Sequence, residues 1–353
     1  MEQVIEQFKE RILAASRDKQ PLCLRGGGSK DWYGQAPMGE VLDTRAYQGI
    51  VAYDPTELVI TVRAGTRLAE VEKVLAEQNQ TFAFEPPHFG PDATVGGMVA
   101  CGLSGPRRAA VGAVRDFVLG AVLMDSKGEA LHFGGQVMKN VAGYDVSRLL
   151  TGSLGTLGLL LEVSLKVLPK PYAETSLRLQ MTEDEAIRRL NQWGGQPLPI
   201  SASAWCDGAL VLRLSGAKAA ITAAQQAIGG EEISGDDFWL AMREQSNQFF
   251  TQSSTLWRLS VPSTVPPLGL GEQLIEWGGA QRWLRSDASA AVIRAAAVEA
   301  GGHATLFRGG DKSVGVFQPL APAVGKIHQN MKHAFDPDGI FNPGRMYAHY
   351  QTS

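Results

Sequence analysis

Three stretches in the first half of the chain are built from glycine and small uncharged residues: RGGGSK from residue 25, PDATVGGMVACGLSG from residue 91, and KNVAGYDVSRLLTGSLGTLG from residue 139. Surface loops are ordinarily polar. A loop of Gly, Ala, Thr and Val is awkward in water unless something large lies on it and meets its backbone N–H and C=O groups. Glycines also accept unusual backbone angles and let several N–H groups converge on an anion. Two familiar phosphate loops do not fit. The Walker pattern needs Gly-Lys-Ser/Thr, whereas here the order is Gly28-Ser29-Lys30. The Gly-x-Gly-x-x-Gly fingerprint finds Gly26 and Gly28 but meets Asp31 at its last position. Close packing of backbone between sheet layers, or a plain turn, would use the same residues.

A chain of 353 residues is too long for one small core, so two domains are expected. A net charge of −3 and a pI near 6.1 offer nothing to nucleic acid or an anionic membrane. No apolar run is long enough to span a bilayer. The opening MEQVIEQFKERILAAS reads as an amphipathic helix with Val4, Ile5, Phe8 and Ile12 on one face, without a signal-peptide core. Cys23, Cys101 and Cys206 lie far apart and form no Cys-x-x-Cys, which argues against an internal iron–sulfur or zinc site. Such unpaired thiols suit a reducing cytoplasm.

Strands are expected at 21–24, 58–62, 117–124, 130–133 and 159–168, with a helix after a Thr66 cap carrying Leu68, Val71, Val74 and Leu75 on one face. Pro169-Lys170-Pro171 is the expected domain boundary. Beyond it, strands at 175–181, 203–206, 209–214, 281–284 and 303–307 alternate with helices at 182–193, 217–228 and 288–300. Thr182 and Glu185 form a capping box, and Asp207-Gly208 is a hairpin turn. That order suggests an antiparallel sheet with helices on one side, an α+β domain. A last helix is expected at 321–335. Phe238, Trp239, Phe249 and Phe250 fit either a core or an interface.

RGGGS, PDATVGG…CGLSG…GAVRD, KNVAGYD…LLTGSLGTLG and DPDGIFNPG, in that order, resemble the FAD-binding pattern of vanillyl-alcohol-oxidase-type (PCMH-type) flavoproteins. KNVAGYDVSRLLTGS, GGHATLF and FNPGRMYA are further similar to the FAD-binding subunits of bacterial glycolate oxidases (glycolate dehydrogenases), over nearly the whole chain. The resemblance implies an α+β fold: a two-subdomain FAD-binding domain at 1–170, an α+β cap or substrate domain with an antiparallel sheet at 171–320, and a segment at 321–353 returning to the flavin domain. It implies non-covalent FAD, held by Gly26, Gly27, Gly28 and Ser29 at the pyrophosphate. It implies further contacts from Pro91, Thr94, Gly96, Gly97, Gly102 and Gly105, then Gly152, Ser153, Gly155, Thr156 and Gly158, then Val163 at the adenine and Asn342 near the flavin. Arg25 and Lys30 are either phosphate partners or solvated charges. Tyr144 and Asp145 either orient their loop or touch the ligand. Cys101 stands where some relatives attach the flavin, and it also fits a small buried hydrophobe.

Oxidation of a 2-hydroxy acid needs a cation for the carboxylate, a base for the hydroxyl proton and the flavin as hydride acceptor. Catalytic relatives carry a His-x-x-Gly-Asp-Gly-Asn-x-x-His-type segment, which this sequence lacks. Of its histidines (His88, His132, His303, His328, His333 and His349), His303 is the weak catalytic candidate; no metal site is expected. Arg107, Arg108 and Arg115 fit a flavin, phosphate, surface-pair or partner role. The resemblance thus implies a subunit of a complex oxidising glycolate to glyoxylate, carrying electrons between a catalytic flavoprotein subunit and an iron–sulfur subunit, cytoplasmic or held at the inner face of the cell membrane by those partners. The alternatives are a self-sufficient FAD-dependent 2-hydroxy-acid dehydrogenase and a structural subunit with FAD as a fold-stabilising ligand.

Overall fold

The computed structural model describes residues 1–135, 145–252 and 255–348. Its chain is mixed helix and sheet, organised around two antiparallel sheets. The first has five strands in the order Ile50–Asp54, Val59–Arg63, Leu159–Lys166, Val118–Met124 and Ala130–Gly134. The central strand Leu159–Lys166 is buried almost throughout, which is why LLLEVSLK reads as a continuous apolar run. Helices Leu68–Glu77 and Val95–Cys101 bury Leu68, Val71, Leu75, Val95, Met98 and Val99 into the core against this sheet. Thr66 does not cap the first of these helices. Its hydroxyl bonds Gly49 and the Arg63 carbonyl, and Arg67 takes the cap position without a side-chain bond.

The N-terminal helix Glu2–Asp18 buries Phe8, Ile12 and Ala15. It covers a small parallel ribbon of Leu22–Arg25 and Glu40–Asp43, which Phe341 extends by a bridge to Leu22. The chain's last described segment therefore returns to the strand that feeds the first glycine loop.

The second sheet has eight strands, all antiparallel, running from Glu231–Ile233 at one edge to His303–Gly309 at the other. Thr182 accepts the expected cap bond from Glu185, and Asp207 and Gly208 both take positive φ in the hairpin between Ile200–Cys206 and Ala209–Gly216. One face of this sheet packs on helices Glu183–Gly194, Lys218–Ile228 and Ala290–Glu299. The other face carries Trp283, Phe307 and Leu256 toward Tyr33 and Leu103 of the glycine-loop region. Trp239, Phe249 and Phe250 are buried there, so that segment is core. No helix of the described residues is long and apolar enough to cross a membrane.

Candidate active site

Two adjoining clefts, with about 400 and 500 Å³ of empty space partly open to solvent, lie where the glycine loops meet. Leu24, Gly26, Gly97, Ala100, Leu154 and Asn342 line both, so all three loops and the C-terminal NPG turn converge on one place. The first loop is held there by geometry its side chains could not provide. A Cβ on Gly27 would sit 1.5 Å from the Asp92 carbonyl oxygen. The loop thereby lies directly on the PDATVGG segment.

Among the described residues, no group accepts a hydrogen bond from the backbone N–H of Gly26, Gly27, Gly28 or Ser29. Four successive unpaired donors beside a cleft are a cradle for an anion. Gly97 also borders both clefts, and a Cβ there would meet nothing closer than the Thr94 hydroxyl at 3.2 Å. A side chain at that position would lie against the Thr94 hydroxyl at the edge of both clefts. These features fit a dinucleotide: unpaired donors for a diphosphate, and side-chain-free floor for a flat ring.

The expected ligand residues divide into groups. Gly26, Gly27, Gly28, Ser29, Thr94, Gly96, Gly97, Gly155, Gly158 and Asn342 line one or both clefts. Thr94 is also the cap of the helix Val95–Cys101, its Oγ1 accepting from the Gly97 N–H at 3.3 Å. Asn342 spends its whole amide on structure. It accepts from the Leu24 N–H at 2.8 Å and donates to the Leu154 carbonyl at 2.6 Å, clamping the first and third loops together.

Pro91, Gly102, Gly105, Gly152, Ser153, Thr156 and Val163 are not among the lining residues. Gly105 presses on the Glu85 carbonyl and accepts from the Trp277 indole at 3.1 Å, away from both clefts. Thr156 bonds the Ser153 carbonyl internally at 2.7 Å. Val163 is fully buried mid-sheet, paired with Val62 and Ala121. Asp145 caps the short helix Val146–Leu149 and pairs with Arg148, an internal role; Tyr144 lies outside the described residues.

Two buried cations stand in the first-loop cleft: Lys30, which the sequence left as either a phosphate partner or a solvated charge, and Arg345, which the sequence reading missed. Lys30 is 7% exposed and Arg345 8% exposed, and both line it. Arg25 is exposed and bonds Asp31 at 2.6 Å. Cys101 also lines this cleft; burial pushes its thiol up, against the pull of Lys30 and Arg345, so it stays protonated at neutral pH.

The arginines after the second loop serve other ends. Arg107 pairs with Glu85 and Glu174, Arg108 lies 4.4 Å over the Trp277 ring, and Arg115 is an exposed neighbour of Asp116. His303 begins the edge strand His303–Gly309, exposed, its imidazole lowered by partial desolvation and by Arg258. It lines neither cleft. His88 faces Glu72 at 3.1 Å, His132 and His333 are exposed, His328 is half-buried, and His349 lies outside the described residues. Among the described residues no group of three or more His, Cys, Asp or Glu could hold a metal ion.

The comparisons with known proteins agree with this geometry. The FAD binding domain family (FAD_binding_4) matches residues 3–134. Glycolate oxidase subunit GlcE of Escherichia coli K12 is 52% identical over 96% of this chain and 96% of its own. Glycolate oxidase subunit GlcD of Bacillus subtilis 168 is 32% identical over 47% of this chain and 36% of its own, and a D-lactate dehydrogenase of Archaeoglobus fulgidus is 30% identical over 54% and 43%. Among solved structures, an alkyldihydroxyacetonephosphate synthase superposes with a TM-score of 0.69 at 15% identity, covering 96% of this chain and 75% of that one, a likeness of fold. The chain carries an FAD-binding domain and belongs to the family of the glycolate oxidase subunit GlcE.

Proposed function

We propose that this chain is the FAD-carrying subunit of a complex that oxidises glycolate to glyoxylate, and that it passes electrons between a separate catalytic flavoprotein and an iron–sulfur subunit. Residues 1–170 form the FAD-binding domain, 171–320 the cap, and 321–353 the segment returning to the flavin domain. Any placement at the inner face of the cell membrane comes through the partners. The similarity to a glycolate oxidase subunit over nearly the whole chain supports the setting.

One observation carries the division of labour: the cradle is furnished for a dinucleotide but not for deprotonating an alcohol. Among the described residues no histidine lines either cleft, and the carboxylate there, Asp31, is engaged by Arg25. A general base must be free and within reach of the proton it takes. Trp32, Phe89 and Phe307 pack ring to ring at 5.1–5.3 Å between centroids, and Arg308 lies 4.6 Å over Trp32. When bound, FAD supplies an acceptor that takes an electron pair and can release electrons to a redox partner. The chain's own residues hold it: backbone donors of the first loop at the diphosphate, Gly97 as bare floor, and Asn342 fixing the loops' separation.

Anaerobic mixing with glycolate tests this. The visible flavin band is expected to persist in the purified chain and to bleach when the catalytic and iron–sulfur subunits are added. Bleaching by the chain alone would overturn the relay reading in favour of a self-sufficient dehydrogenase. Persistence in the full complex would leave FAD a structural role.

A further inference from the structure

Lys30 is buried with no carboxylate within 4.0 Å, although Glu244 lies near enough to favour its charge. Its ammonium has three donors; two meet neutral oxygens, Ser29 Oγ at 3.3 Å and the His88 carbonyl at 3.1 Å, and the Phe89 ring centroid lies 5.6 Å away. Burial pulls its pKa down, and the carboxylate of Glu244 offsets this only in part. Arg345 is in the same position. Its guanidinium donates to the main-chain carbonyls of Gln35 and Asp31, and no ion pair within 4.0 Å is formed with a described carboxylate.

A second buried lysine among the described residues shows the contrast. Lys332 is 5% exposed and bonds the Asp336 carboxylate at 2.5 Å in addition to two carbonyls. Its charge is neutralised where it stands. The first-loop cleft is left with an excess instead: Arg25, Lys30 and Arg345 against Asp31, three cations and one carboxylate. A buried charge with no counter-charge is costly in the folded protein. Such an excess persists where something anionic completes it.

Resting on the FAD reading above, we propose that Lys30 and Arg345 are the counter-charges for the dianionic diphosphate of the bound dinucleotide, completing what the unpaired N–H groups of residues 26–29 begin. Arg25, weighed alongside Lys30 as a phosphate partner in the sequence, is neutralised by Asp31 and is not one of them. The two formal positive charges in excess match the two negative charges of a diphosphate. Lys30 and Arg345 are thus binding residues whose cost to the empty protein is recovered when the cofactor binds.

The test uses the full chain stripped of FAD and then titrated with it, comparing wild type with Lys30→Met and Arg345→Met. Thermal melting of the FAD-free protein is expected to be unchanged or raised in Lys30→Met, because an uncompensated buried charge is gone. Its affinity for FAD is expected to fall about tenfold or more, as for loss of a charge-assisted contact, and the FAD-induced rise in Tm to shrink accordingly. Arg345→Met is expected to lose FAD affinity in the same way. Destabilised or unfolded FAD-free Lys30→Met would show that the ammonium supports the fold, and unchanged FAD affinity would show that it does not meet the ligand. Either overturns the proposal. If wild type itself gains no Tm from FAD, the underlying cofactor reading fails, a distinguishable result.

Discussion

At the scale of single residues, the glycines of the cradle do two different jobs. At Gly27 a backbone carbonyl occupies the place of a Cβ, whereas at Gly97 that place borders both clefts and meets only the Thr94 hydroxyl, at 3.2 Å. The sequence writes both as the same letter. Substitution separates them. Gly97→Ala is expected to leave the FAD-free protein as stable or slightly more so, since Ala gains up to about 1 kcal/mol over Gly within a helix, while FAD affinity drops. Gly27→Ala is expected to destabilise the FAD-free protein outright, because the Asp92 carbonyl cannot yield by the required distance. Melting curves with and without FAD check both. The first loop was legible as an anion cradle because glycine's backbone freedom is a local property. Lys30 was not legible as a buried cation, because its burial depends on Phe89 and on the cap residues that close over it.

At the scale of elements, the cap sheet carries a titration of its own. Glu276, at the end of the strand Glu272–Glu276, is buried, and burial pushes its carboxyl up to about 7. Bonds from the Trp283 indole at 2.6 Å and the Gln281 amide at 3.0 Å pull it back only part way. A folded-state value above the unfolded one means that the folded protein holds the proton more tightly. The stabilisation is therefore full below about 4.5 and is lost as pH rises toward 7. Glu276→Gln is expected to flatten this part of the stability–pH curve, removing a change of at most about 3 kcal/mol. Urea titrations at pH 5 and 8 read it directly, and a slope unchanged by the substitution would place the titration elsewhere. The strand itself was missed in the sequence, because EQLIE is short and its glutamate tip disguises a buried position.

At the scale of the whole molecule, the cap is latched to the flavin-side sheet by ion pairs of two buried arginines as well as by rings. Glu85 accepts from the Arg107 N–H at 3.0 Å and from the Arg213 guanidinium at 2.8–2.9 Å, while Glu174 holds Arg107 from the cap side. Glu244 takes the His88 and Phe89 N–H groups, and Lys312 reaches the Trp32 and Gly34 carbonyls. Glu85→Gln leaves two largely buried guanidinium groups sharing Glu174. It is expected to cost about 3 kcal/mol of unfolding free energy, seen as a lower urea midpoint. An effect below about 0.5 kcal/mol would show that the latch is ornamental to stability.

The sequence by itself located the glycine loops, many of the strands, the hairpin at Asp207-Gly208 and the N-terminal helix face, because each is set by local backbone preference or by short-range periodicity; the flavin signature was legible through the resemblance of its motifs to a known family. Only the tertiary structure decided which glycines border open space and which touch carbonyls, that Thr156 and Val163 turn away from the cleft while Lys30 and Arg345 turn into it, and that Arg107 serves the latch. Those outcomes depend on which distant residues displace water from a given group, and the free energy of a charge or a missing methyl is set by that displacement, not by its neighbours along the chain.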